Sequence, residues 1–442
     1  MYIIGINCGY KETTGSFYDT ESRCGVVGRL HILDGDTSEA CKVESAVWRN
    51  RETGEWQFVR DMRDYYLPDF SNDFIGPMNA MTPKKKEAFA AFVRLVFAHI
   101  LKNQEFLHYN PVTGERNFEI YVALGKENIA QAKEYKNFIS SIIPLDWVIP
   151  DSMAAYFKFK AEREYKDNFS VSSALVINID SRSIDFTAYN EKGKQSFLKV
   201  YNHGDSAIEN LIYKYFEEHD ENFNKAKEEG EALCYSDIDW RNAVILYLKS
   251  QKEKWRPECG FYGKSALFLD LSNRTICYDS KRRVFDSCVI SEKQLEDEIL
   301  APYRQTLLQD MNDVKQRLAK EKNGIPEVVI LTGESSRMPW LQRLVIDVFS
   351  DSQVFRDSDP SYVVSDGLAY YVTGIHKMKS AIENLKTSIA TVFHEFHIQD
   401  YNTAYADYVI SKMQDFLEDE HMLEYAKKEP EKQEEPIRLK KS

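Results

Sequence analysis

Residues Glu327–Arg343 read EVVILTGESSRMPWLQR. Four apolar residues, Val328–Leu331, open the stretch. A run that short, closed by Gly333, predicts a buried strand and not a helix. Thr332–Arg337 predict a tight turn, and Pro339 stands where the first turn of a helix tolerates proline. From Trp340 onward, Leu341, Leu344, Val345, Val348 and Phe349 recur at helical spacing. Strand, polar turn and helix place the turn at the carboxyl end of a strand, where open α/β sheets bind ligands. A purely structural corner fits the same pattern.

The 442 residues exceed one compact domain and suit two or more. A hydrophobic content of 43% is ample for a core, and 13% aromatics argues against disorder. The net charge of −13 points away from nucleic acid and anionic membrane as main partners. No apolar run approaches the length of about eighteen residues that a membrane span needs, and Met1-Tyr2-Ile3-Ile4 lacks a preceding basic region. Neither a transmembrane helix nor a signal peptide is expected. The seven cysteines are scattered without a CxxC pair, so neither zinc nor a disulfide framework is indicated, and a cytoplasmic location is expected.

Working outward, Tyr2–Gly9 (YIIGINCG) predicts a buried strand running into a turn, with Tyr18 and Val26–Leu33 continuing as hairpin-like strands. Lys42–Arg63 alternates around an Arg51-Glu52-Thr53-Gly54 turn and predicts a further hairpin. Thr82 caps and Pro83 starts a helix to Leu101, with Phe89, Phe92, Val93, Val96, Phe97 and Ile100 as its core stripe. Phe118–Leu124 predicts a strand and Ile129–Ile142 a helix. Ala174–Asn190 (ALVINIDSRSIDFTAYN) predicts strand, turn, strand. Asn202–Phe216 leads into a helix, and Glu217–Glu231 is a charge run on a solvated helical surface. Ala266–Leu271 and Thr275–Tyr278 predict strands. Ser291 predicts the cap of a long helix carrying Leu295, Ile299, Tyr303, Leu307, Met311, Val314 and Leu318 on one face.

Several of these stretches, in this order, resemble the nucleotide-binding domain of the seventy-kilodalton heat-shock (DnaK-type) chaperones, within the actin-like ATPase superfamily. TGESSRMP resembles the family's adenosine signature GGSTRIP, with Gly333, Ser335, Arg337 and Pro339 matching and Glu334 in place of a glycine. GINCGYK resembles the first phosphate hairpin: Gly5 and Gly9 remain, and Asn7 stands where the family has an aspartate near the metal. By position, NIDSRSID is the second phosphate hairpin, with Asn178 replacing the metal-linked aspartate. Asp180-Ser181-Arg182 lie over three glycines, followed by Ser183 and Asp185. Val148–Phe159 is similar to the connecting helix where the lobes hinge, through Pro150, Ala154, Ala155 and Tyr156; the family glutamate is replaced by Ile149 or, one step on, by Asp151. Ile75 falls where the family carries a catalytic lysine. Lys252 matches a lysine of the helix that closes over adenosine, and Lys249 stands at its glutamate. Asp359–Thr373 resembles the helix returning to the first lobe, through Pro360, Val364, Gly367 and Ala369.

The resemblance implies an α/β chain with a two-lobed actin-like fold of four subdomains and a C-terminal helical extension. Lobe I would span 1–172 with a small subdomain at about 42–117, and lobe II 173–357 with one at about 214–286. A returning helix at 358–378, a helical extension at 379–425 and a disordered tail at 426–442 would follow; no peptide-clamping sandwich follows. It implies ATP or ADP as ligand, with Mg²⁺ binding weakened. The implied phosphate residues are Gly9, Tyr10, Lys11, Asp180, Ser181, Arg182 and Ser183. For adenosine they are Lys252, Gly333, Glu334, Ser335, Arg337 and Asp366, with Arg337 stacking on the base. Degenerate catalytic positions are Asn7, Asn178 and Asp185, and the hinge comprises Pro150, Ala154, Ala155 and Gly367. An asparagine brings no charge to Mg²⁺. The expected function is therefore a nucleotide-binding protein with weak or lost ATPase activity, serving an unknown protein partner as a conformational or scaffold module. An active ATPase, a kinase on the same fold, and an interaction module that binds no nucleotide remain alternatives.

Overall fold

The computed structural model describes residues 1–371 except 23–25, 36, 51, 60–70, 72–73, 168–171, 191–192, 232–240, 242–243, 246–247, 249–266, 271–273, 279–280, 286–288 and 322–323. Its architecture is mixed α/β. Strands β1 (Tyr2–Cys8), β2 (Glu12–Asp19), β3 (Gly28–Arg29) and β4 (Lys42–Glu44) open the chain, followed by the separate hairpin of β5 (Val47–Arg49) and β6 (Trp56–Phe58). Helix α1 (Pro83–Asn103) comes next, with Thr82 Oγ1 accepting the Lys85 N–H at 3.3 Å. Then follow β7 (Phe118–Leu124), α2 (Ala132–Ser140), β8 (Trp147–Pro150) and α3 (Asp151–Asp167). The first sheet runs β3-β2-β1-β7-β8, with β4 also on β2. Burying Phe89 and Phe92 of α1 against this sheet's core is worth about 1.5–3 kcal/mol per side chain.

The second sheet repeats the plan. It contains β9 (Ser173–Ile179), β10 (Ile184–Asn190) and β11 (Gln195–Tyr201), and is completed far along the chain. Between lie α4 (Ser206–His219), α5 (Glu221–Glu231), β12 (Leu267–Asp270), β13 (Arg274–Tyr278), β14 (Lys281–Phe285), β15 (Val289–Ser291) and α6 (Ala301–Leu318). β16 (Val328–Thr332) then joins β9 in parallel, α7 (Pro339–Val348) follows, and β17 (Gln353–Arg356) pairs parallel with β16. The order β11-β10-β9-β16-β17 matches the first sheet strand for strand: two antiparallel steps on one side of the first strand, two parallel steps on the other. All five residues of β16 are buried, as a strand flanked on both sides requires.

Helix α8 (363–371) returns the chain to the first sheet. A β-carbon on Gly5 would collide with the Ser365 carbonyl and Leu368, so α8 lies directly on β1. An interior cluster including Ile3, Met153, Val176, Val328 and Leu368 is shared by both sheets.

Several expectations need correction. Of Val26–Leu33 only Gly28–Arg29 pairs as strand. No strand is expected at β11, β14, β15 or β17, and Val148–Pro150, read as the start of the connecting helix, belongs to strand β8, with α3 beginning at Asp151. Residues 126–131 form a 3-10 turn before α2, shortening the helix expected at 129–142. The helix expected from Ser291 holds a π turn at Leu295–Ile299, just before Pro302, whose missing N–H and ring a regular helix does not accommodate. All seven residues predicted on its inner face are nevertheless buried. The run 217–231 is broken at Asp220, whose carboxylate accepts the Phe223 N–H at 2.9 Å, and Phe223 is buried. The readings of Lys249, Lys252 and the extension from 379 fall outside the described residues.

Candidate functional site

The carboxyl ends of β1, β7, β9 and β16 converge on one cleft between the sheets. It is lined by residues 7–12, 178–181 and 332–333, together with Ile75, Gly125, Glu127, Asp151 and Asp205. The β1–β2 turn is tight: Gly9 N–H donates to the Glu12 carbonyl at 3.1 Å, and Ser45 Oγ holds the Gly9 carbonyl at 2.6 Å. The β9–β10 turn closes with Asp180 N–H on the Ser183 carbonyl at 3.0 Å. Gly333 ends β16 at φ +88°, and a β-carbon there would strike the Ile179 carbonyl, so this turn requires glycine twice over. Thr332 pairs with Asn178 in the ladder.

Several donors that a phosphate could use are engaged within the chain. The Asp180 carboxylate accepts the N–H of Ser181 at 2.5 Å. Asp205 and Ser206 N–H groups hold the Asp180 and Ser181 carbonyls at 3.0 and 3.1 Å. Arg182 lies over the Tyr10 ring at 4.4 Å. Lys11 Nζ reaches across the cleft to both oxygens of Asp205, at 2.9 and 3.1 Å, and Ser335 Oγ donates to the same carboxylate. A second crossing joins Lys126 Nζ to Asp185 Oδ1 at 2.6 Å, with those side chains only 7% and 1% exposed. Asn178 Nδ2 donates to the same Asp185 oxygen at 3.2 Å.

The cleft is acidic. Glu127, Asp151, Asp180, Asp185 and Asp205 gather around Lys11 and Lys126. Burial, with Asp180 nearby, pushes Glu127 up to about 6. Burial and then Asp185 push Asp151 well above the usual carboxylate range, and burial raises Asp180 as well. Burial would lower the Lys126 ammonium, but Asp185, Asp180 and Asp151 outweigh it and hold the group above its ordinary value.

The structure thus brings together Asn7, Gly9, Tyr10, Lys11, Asn178, Asp180, Ser181 and Gly333, with Asp185, Arg182 and Ser335 one contact away. Ser183 is buried in the hairpin turn. Glu334 begins the short 3-10 turn after β16. Arg337 donates to Asp359 at 2.8 Å and to Ser361 Oγ at 3.2 Å, and Arg29 of the first sheet holds the other Asp359 oxygen at 2.8 Å. Stacking on a base would require Arg337 to leave those partners. Asp366 stands apart from this turn: it accepts from Ser16 Oγ at 2.5 Å and pairs with the buried Lys158 at 3.0 Å. Pro150 ends β8, while Ala154 and Ala155 are buried on α3, where Gly367 crosses. Of the two positions weighed for the family glutamate, Ile149 is core and Asp151 lines the cleft. Ile75 lines it too.

Sequence reasoning gave no site role to Lys126, Glu127 or Asp205. Lys126-Glu127 follow β7 after a single glycine, Gly125, so the rule that strand carboxyl ends carry sites would have found them.

The cavity enclosed here is about 100 Å³, against roughly 300–1,000 Å³ for a typical small-molecule site. Among the described residues no group of three or more His, Cys, Asp and Glu is arranged to hold a metal ion, and no helix is long and apolar enough to cross a membrane. Comparison with protein-family models and with curated proteins returns no match.

Proposed function

We propose that this chain is an actin-like, heat-shock-chaperone-like two-lobed protein with weak or lost ATPase activity, acting on a protein partner as a conformational or scaffold module. The observation carrying this reading is the pair of buried charge bridges, Lys11–Asp205 and Lys126–Asp185, across the cleft. Phosphoryl transfer needs positioned cations and Mg²⁺ around the phosphates. Here the lysines neutralise the chain's own carboxylates, and surplus acid surrounds them. ATP or ADP enters only by displacing these pairs, and losing one partner of such a buried pair costs about 3–5 kcal/mol. Asn7 and Asn178 bring no charge to a metal ion. Calorimetric titration with ATP and with ADP, each with and without Mg²⁺, tests the reading. Expected is binding no tighter than millimolar and indifferent to Mg²⁺; Mg²⁺-dependent micromolar binding of ATP with steady turnover would overturn it.

A second reading, a scaffold that takes up adenine nucleotide without hydrolysing it, is favoured by one observation. Two hairpin turns, the first carrying Gly9, and the Gly333 turn face one cleft, the arrangement that backbone recognition of a nucleotide uses. Submillimolar ADP binding without turnover would select it.

A further inference from the structure

Lys126 occupies an unusual place. It starts the 3-10 turn after β7 of the first sheet, yet its ammonium is buried against the second sheet, 2.6 Å from Asp185. Asp180 and Asp151 lie close enough to hold its proton, and Glu127 is its neighbour in sequence and in the cleft. Four carboxylates therefore gather around one ammonium group, and Asp185 takes Lys126 and Asn178 on a single oxygen. The turn that delivers Lys126 is rigidly fixed. Asn128 Oδ1 accepts the Met78 N–H at 2.9 Å, and Asn128 Nδ2 donates to the Gly76 carbonyl at 3.0 Å. So rigid a mount on one sheet, with its charge spent on acids that include two from the other, describes a clasp.

We propose that Lys126 is a tethered counter-ion: it closes the cleft from within the chain and takes the part that a bound divalent cation would have to play in its absence. The proposal rests on the reading that the cleft works without Mg²⁺-nucleotide. Like charges crowded at low dielectric repel strongly, and a cation on a lobe-spanning tether both neutralises them and joins the lobes. Without that ammonium, the carboxylates must take up protons, separate, or recruit a cation from solution.

The test uses the full chain with Lys126→Gln, and Lys126→Arg as the conservative control. Melting temperature and small-angle scattering radius are measured without nucleotide, in MgCl₂ and in NaCl of matched ionic strength. Expected for wild type and Lys126→Arg are equal values in both salts. Lys126→Gln should melt about 5 °C or more lower and scatter with a larger radius, and MgCl₂ but not NaCl should recover part of both changes. An unchanged Lys126→Gln overturns the proposal. So does a wild type that gains as much from MgCl₂, or a destabilised variant that gains nothing from it. Should Lys126→Gln fail to fold, the double variant Lys126→Met/Asp185→Asn removes both ends of the pair. A wild-type scattering radius in that variant then refutes the clasp. Because the probe is the metal alone, these outcomes are independent of the nucleotide titration that judges the underlying reading.

Discussion

Gly367→Ala tests how closely the returning helix α8 is seated on α3. A β-carbon at 367 would fall well inside 3.0 Å of the Ala154 carbonyl and 3.1 Å from the Ala154 Cα, all of it backbone that no rotamer change can move. Two effects oppose each other. Alanine gains about 0.8–1.0 kcal/mol over glycine in a helix interior. Overpacking against fixed backbone costs about 3 kcal/mol, the upper end of the usual range, because the two helices must part. The net expectation is a loss of about 2 kcal/mol. Thermal and urea unfolding of the variant measure it, with Gly76→Ala as control, since nothing lies within 4 Å of a β-carbon there. A loss below about 0.5 kcal/mol, no larger than ordinary surface variation, would refute the close crossing. Restoration by Ala154→Gly would refute the claim that backbone, not side chain, is the obstacle.

Two further outcomes are expected. Lys158→Met strands Asp357 and Asp366, which its buried ammonium bridges at 2.7 and 3.0 Å; stability should fall by about 3–5 kcal/mol, and a melting curve matching wild type would dismiss the bridge. Glu127 is pushed up to about 6 from an ordinary 4.5, so its contribution is present below pH 4.5 and is lost as pH rises through 6. Glu127→Gln should therefore raise the melting temperature at pH 7.5 but not at pH 4.5, and an equal gain at both would count against burial as the cause.

What was legible in the sequence was whatever local pattern determines. Val328–Leu331 is a four-residue apolar run, and its shortness and the Gly333 that closes it mark it as a strand flanked on both faces. Thr82-Pro83 followed by a 3.6-residue stripe marks α1, and the residues of that stripe are buried as predicted. β11 escaped because it alternates weakly, with exposed and half-buried positions in turn, as an outer strand does. The second sheet's fourth and fifth strands lie more than a hundred residues beyond its third, so its order could not be read from neighbouring segments.

The cleft's turns were legible for the same local reason, but its charge pairing was not. Lys126 and Asp185 are 59 residues apart, and Lys11 and Asp205 are 194 apart. No spacing rule reaches that far, and each lysine alone looks available for phosphate. On the proposed reading, the pairing also changes what the two asparagines mean. Carboxylates at 7 and 178 would add two more acids to a cleft already rich in them, around Lys11 and Lys126, and closure would need an added cation. The amide at 178 instead donates to Asp185, so one oxygen accepts from both a lysine and an asparagine. On that reading Asn7, Asn178 and Lys126 would act together: two amides leave less negative charge in the cleft, and the tethered ammonium would meet what remains without metal.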